Sequence, residues 1–156
     1  MKLGVFVPTV GNNQLSVQAV ANINTLVDTD NTIYPCIFYK EFDFLKVKLK
    51  GIATTFDKLY EYDGHLITTN LDTTFIALKC KRLKSIYFYV TDLEWIRGIG
   101  NYLSNISLYQ HPKVHVICPS VEYADALMNY CNVKTECIIT GFNLNEIVRT
   151  IRSGNN

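Results

Sequence analysis

Two carboxylates and the only Trp of the chain fall close together in the run Thr91-Asp92-Leu93-Glu94-Trp95. Asp92 and Glu94 are two residues apart, so in an extended chain they share a face. A pair so placed can position a sugar hydroxyl, and either member can act as a general base. Trp95 beside them can stack on a sugar or base ring. The same residues also have a structural reading. Asp92 then caps the following segment, Glu94 pairs with Arg97, and Trp95 closes the core. Residue type alone leaves both readings open.

What precedes this run fixes where it stands. Ser85–Val90, S-I-Y-F-Y-V, reads as a buried strand, and Asp92, Glu94 and Trp95 follow its C-terminal end. In open α/β sheets that end is where ligands bind. Hydrophobic spacing predicts further strands at Lys2–Val7, Thr32–Tyr39, Ile52–Thr55, His65–Thr69, Val114–Cys118 and Thr135–Thr140. It predicts helices at Gln14–Val27, Asn70–Lys81, Asn101–Tyr109, Val121–Tyr130 and Leu144–Arg152. Asn12 or Asn13 suits the first N-cap, Asn70 or Asp72 the second, Ser120 the fourth and Asn143 the last, with Glu146 in the capping-box position. Lys40–Lys50 is a charged connector, Phe56–Tyr62 a single turn, and Ile96–Gly100 a flexible connector. Strands alternating with helices imply an α/β fold with three layers: a mostly parallel sheet of about six or seven strands, covered on both faces. Residues 1–156 form one domain, since no linker, repeat or low-complexity segment divides them.

Parallel strands bring their C-terminal ends to one edge. That edge collects Thr9, Gly11 and Asn12, then Thr69 and Asn70, then Asp92, Glu94 and Trp95, then Ser120, and finally Gly141 and Asn143. Such a rim of hydroxyls, amides and carboxylates suits a ligand with many hydroxyls or a phosphate. The loop holding Gly11 leads into a helix N-terminus, which offers backbone N–H groups to an anion. Taken one at a time, these groups are equally suited to helix caps and turns.

Composition excludes several classes. The formal net charge is +1, and no basic stripe interleaved with aromatics occurs, so neither nucleic acid nor an anionic membrane is an expected partner. The five Cys (36, 80, 118, 131 and 137) include no CxxC pair, which points to reduced thiols in a cytoplasmic protein and not to disulfides or zinc. His65, His111 and His115 lack metal-ligand spacing. No Walker loop, GxGxxG or GxSxG motif is present, so neither metal nor cofactor is expected. No apolar stretch is long enough to span a bilayer.

The segments V-F-V-P-T-V-G-N-N-Q, L-Y-E-Y-D-G-H-L-I-T-T-N, Y-F-Y-V-T-D-L-E-W, V-I-C-P-S and I-I-T-G-F-N together resemble short glycosyltransferase-like proteins of tailed phages. Those in turn are similar to one Rossmann-like half of the GT-B glycosyltransferases. The resemblance covers residues 2–142, and D-L-E-W is its most specific piece. It implies a Rossmann-like domain that binds a nucleotide sugar or glycan at the sheet's C-terminal edge and transfers the sugar. Thr9–Asn12 would face the cleft, the Gly11 loop would hold phosphate, and Asp92 and Glu94 would stand beside it. For a viral protein, the location would be the host cytoplasm. GT-B enzymes hold the donor mainly on a second half, so the resemblance also implies a homodimer or a partner that supplies it. The alternative is a non-catalytic accessory module that keeps the fold and contacts a host or viral protein.

Overall fold

The structure, a computed structural model, describes residues 1–96 and 101–154. In chain order the elements are β1 (Lys2–Val10), α1 (Gln14–Thr29), β2 (Tyr34–Phe42), β3 (Ile52–Thr55), β4 (His65–Thr68), α2 (Leu71–Leu78), β5 (Ser85–Tyr89), α3 (Tyr102–Tyr109), β6 (Val114–Cys118), α4 (Val121–Cys131), β7 (Cys137–Ile138) and α5 (Leu144–Ser153). A 3-10 helix of two turns occupies Phe56–Glu61, and shorter 3-10 turns occupy Glu94–Ile96 and Thr140–Phe142. The strands form one seven-stranded sheet in the order β3-β2-β1-β4-β5-β6-β7, and every neighbouring pair is parallel.

Successive side chains of a strand point to opposite faces, and this sorts the apolar residues into two layers. Val5, Val7, Ile37, Ile67, Tyr87, Tyr89 and Ile117 pack on one face against Val20, Ile23 and Leu26 of α1 and Leu144, Ile147 and Ile151 of α5. Their neighbours Phe6, Phe38, Leu66, Ile86, Phe88 and Val116 pack on the other face. There they meet Leu71 and Ala77 of α2, Ile106 and Tyr109 of α3, and Leu127 and Cys131 of α4. Burying each large apolar side chain contributes about 1.5–3 kcal/mol, so these two layers hold the sheet between its helices. The result is a Rossmann-like three-layer α/β domain.

Several boundaries differ from the sequence expectation for physical reasons. β1 runs on to Val10 because β2 also continues, pairing Val10 with Phe42. Thr9 is therefore a strand residue, and the turn begins at Gly11. Pro35 is tolerated inside β2: Tyr34 N–H donates to Met1 O, so the next amide points away from β1, and β3 begins only opposite Cys36. The sheet is wholly parallel, where a mostly parallel one was expected. β7 keeps only Cys137 and Ile138 of the six residues Thr135–Thr140; Glu136 and Ile139 N–H flank it with bonds to Val116 O and Cys118 O, and the chain then turns at Gly141 (φ 67°) and Phe142 (φ 54°). Ile96 belongs to a 3-10 turn. The rest of the expected connector, and Arg97 as a partner for Glu94, lie outside the described residues.

The two ends of the chain meet over one turn. The N-terminal amine donates to Thr32 O, and Arg152 reaches Thr32 Oγ1 and Asp30 Oδ2, each at 2.9 Å. No described helix is long and apolar enough to cross a membrane.

Candidate functional site

β1 is followed by α1 on one face, and β4 is followed by α2 on the other, so the strand order reverses between them. The crevice outside such a switch point is the usual ligand position of open α/β sheets. The residues that the sequence collects at the strand C-terminal ends, Thr9 to Asn12, Thr69 and Asn70, Asp92 to Trp95, Ser120, and Gly141 to Asn143, end or follow the strands at this edge.

On the β1–β4–β5 side, most of their polar groups are engaged with the protein itself. Ser16 Oγ donates to Thr9 O at 2.6 Å, and Ser16 N–H donates to Asn13 Oδ1 at 2.9 Å, so Asn13 caps α1 and Asn12 stays exposed. Gly11 is buried, and a Cβ there would stand 3.1 Å from Asp43 Cβ. Its lack of a side chain thus serves close packing against the exit of β2. Thr69 is fully buried and donates to Phe6 O at 3.0 Å. Asn70 caps α2 reciprocally: Thr73 N–H donates to Asn70 Oδ1 at 2.8 Å, while Asn70 N–H donates to Thr73 Oγ1 at 3.2 Å. Thr91 Oγ1 donates to Thr69 O at 2.8 Å, bolting the β5 exit to the β4 exit.

The acidic run behaves differently from an extended pair. The chain leaves the sheet after Tyr89 and coils at Glu94–Ile96, so alternation no longer aligns Asp92 with Glu94. Asp92 Oδ1 accepts from Leu93 N–H at 2.8 Å. Both Glu94 carboxylate oxygens accept from Leu71 N–H, at 3.2 and 3.3 Å. A carboxylate at that place stabilises the N-terminus of α2 through its exposed amides and dipole. Trp95 is 3% exposed and stands edge-on to Tyr109 at 5.5 Å. Its ring is in the core, with no face open for stacking.

At the far side, Ser120 heads α4 without a bond to the helix backbone; its hydroxyl engages Glu122, which holds that carboxyl below its usual range. Asn143 Oδ1 accepts from Asn145 N–H at 3.1 Å, and Asn143 Nδ2 donates to Glu146 Oε1 at 2.8 Å. Glu146 therefore meets the cap's side-chain amide in place of the backbone amide of a capping box. Gly141 is exposed, with open space where a Cβ would be.

Between the start of α1 and the exits of β5, β6 and β7 lies an open cleft of about 350 Å³, lined by Gln14, Leu15, Gln18, Tyr89, Val90, Thr91, Pro119, Gly141 and Phe142. Its wall is set by Tyr89. That hydroxyl donates to Ile139 O at 3.0 Å and accepts from Phe142 N–H at 2.9 Å. It thereby holds Phe142 in a left-handed conformation that costs a non-Gly residue about 1–3 kcal/mol. Strain of this kind concentrates at functional sites. The sequence reading missed Tyr89, Gln14 and Gln18. The available signal was a Tyr at an inward position of a buried strand, whose hydroxyl must find a partner. A second groove, of about 640 Å³, opens between α2 and α3, lined by Leu71, Asp72, Phe75, Glu94, Ser104, Asn105, Ser107 and Leu108.

Charge and titration narrow the chemistry. Around the ends of β1, β2, β4, β5 and β6 stand Glu41, Asp43, Asp72, Asp92, Glu94 and Glu122, and Lys40 is ion-paired with Asp72 at 2.8 Å. Among the described residues, no group of three or more His, Cys, Asp or Glu could hold a metal ion. Burial pushes the Cys36 thiol up to about 11 and the Cys118 thiol up to about 12, so neither is a ready nucleophile. His65 lies at the opposite edge with Nδ1 2.8 Å from Ser85 Oγ, and burial pushes its pKa down. His115 stacks on Tyr87 at 4.8 Å, 3.5 Å from Glu136.

Fold and site thus define a Rossmann-like α/β domain with an open cleft at the C-terminal edge of its sheet. No protein-family model, curated protein or solved structure matches the chain.

Proposed function

We propose that this domain binds a neutral, hydroxyl-rich ligand of the glycan class in the cleft between α1 and the exits of β5–β7. The observation that carries the reading is the cleft itself: Gln14 and Gln18 of α1 line one concavity with Tyr89, Thr91, Pro119, Gly141 and Phe142 at the sheet's C-terminal edge. Amides and hydroxyls donate and accept at once, which suits sugar hydroxyls. None of the described lining residues is a Lys or Arg, so nothing among them would offset the charge of a diphosphate, and a neutral glycan is favoured over a nucleotide sugar. Transfer chemistry has less support than binding. Glu94 bonds to the start of α2 and Asp92 to its own neighbour, so both carboxylates have structural work. The glycosyltransferase-like resemblance is consistent with a sugar ligand and remains part of this proposal.

The test is a thermal-shift screen with neutral oligosaccharides, nucleotides and nucleotide sugars. A ligand at a hundred times its Kd stabilises by about 2.7 kcal/mol. The expected result is a shift with an oligosaccharide that Gln18→Ala removes. A shift with nucleotide sugars alone would replace the neutral-glycan reading with the transferase one. No shift with any of these would favour the second reading, an accessory module that contacts a protein. The observation behind that reading is the α2–α3 groove, whose Phe75 is 49% exposed.

A further inference from the structure

The two outer strands of the sheet are finished differently. β7 is two residues long, preceded by Lys134 and Glu136, and offers little edge to pair with. β3, Ile52-Ala53-Thr54-Thr55, is the other outer strand; it is twice as long and carries neither a charge nor a Pro among its four residues. Ile52 is 67% exposed, and Ala53 and Thr55 are exposed too. Apolar side chains also gather beside this edge. Tyr34 is 67% exposed at the start of β2, and Phe42 and Phe44 at its exit are 61% and 67% exposed. An unpaired edge flanked by exposed apolar groups is a template for another strand.

Charge says which strand. The segment entering β3 carries Lys46, Lys48 and Lys50, whereas the segment leaving it carries Asp57 and Glu61 around Lys58. A parallel visitor of the same sequence would set like charge against like. An antiparallel copy sets the basic entry against the acidic exit. With the two-fold axis between Ala53 and Thr54, Ile52 faces Thr55 of the second copy and Ala53 faces Thr54, and the entry that carries the exposed Lys46 and Lys48 lies towards the exit that carries Asp57 and Glu61. Closed two-fold pairing is also the commonest form of self-association.

We propose that β3 pairs antiparallel with β3 of a second copy, joining two sheets into one continuous sheet across a two-fold axis. Tyr34, Phe42 and Phe44 extend the contact, since a four-residue ladder alone falls short of a stable interface. The strand C-terminal edges of the two copies then point in opposite directions. This dimer therefore does not assemble a shared cleft, and it stands independently of the glycan reading.

Sedimentation velocity on the whole chain from about 1 to 300 μM tests it, with the melting temperature of each variant measured alongside. The expected result is a reversible dimer that Ala53→Lys weakens at least tenfold with its melting curve essentially kept. Asp57→Lys should weaken it as well, by removing a negative charge from the exit that the basic entry of the second copy meets. A monomer across that range overturns the proposal. So does a dimer that survives Ala53→Lys, or one that Asp57→Lys leaves unweakened.

Discussion

Along the strand C-terminal edge, the β4–β5 side and the β5–β7 side use polar groups in opposite ways. On the first, Thr69, Asn70, Thr91 and Glu94 bond to backbone groups of neighbouring elements, closing the exits of β4 and β5 onto each other and onto α2. On the second, one buried hydroxyl, that of Tyr89, carries both bonds that shape the turn, and the side chains of Gln14 and Gln18 line the cleft beside it. The first region spends its polar atoms on holding the fold. The second holds its turn through Tyr89, ties Thr140 to Pro119, and keeps a concavity. Conspicuous chemistry in a sequence and available chemistry in a fold are thus different things, and in this protein they occupy adjacent halves of one rim.

Substitutions can break that contrast. Trp95→Ala should have the largest effect, a destabilisation of about 3–5 kcal/mol in urea unfolding, because it opens a cavity beneath Tyr109. Lost ligand binding at unchanged stability would instead move Trp95 into the site. Tyr89→Phe leaves Phe142 N–H and Ile139 O without their partner and should destabilise by about 1–3 kcal/mol. It should also weaken oligosaccharide binding by isothermal titration, through the altered Gly141-Phe142 wall. Asn70→Ala removes the α2 cap and should destabilise by about 1 kcal/mol, and Glu94→Gln by about 0.3–1 kcal/mol, with binding unchanged in both. Binding that follows Glu94 would return a catalytic or ligand role to the carboxylates. Gln14→Ala is the mildest: stability should stay within about 0.5 kcal/mol while oligosaccharide affinity falls.

The sheet was legible because its cause is local and periodic. Ser85–Tyr89 and Val114–Cys118 are short apolar runs, β3 was readable at Ile52–Thr55, and alternation with helical spacing leads directly to parallel pairing and two covered faces. Element ends were less legible where a neighbour decides them, as when β1 and β2 lengthen each other as far as Val10 and Phe42. The site was legible as a place but less so as a set of residues. Reading Asp92 and Glu94 as a pair assumed an extended chain, and Leu71 N–H, twenty-three positions away, draws Glu94 to α2 instead. Nothing in Gln14 or Gln18 marks them as cleft residues until α1 is laid beside the exit of β5.

The meeting of the N-terminal amine and Arg152 over Thr32 has a practical consequence. β1 begins, and α5 finishes, at the edge of the sheet opposite the cleft. A tether, fluorophore or fused carrier attached at either end therefore emerges on the far side of the molecule. The domain can be anchored to a surface from both termini with its cleft facing outward, which makes immobilised glycan capture a fair assay geometry in either orientation. Because Met1 and Arg152 both contact that one turn, the start of β1 and the end of α5 lie near each other. A short linker joining the ends, with new ends cut in the 43–51 segment, should leave the order of strands in space unchanged.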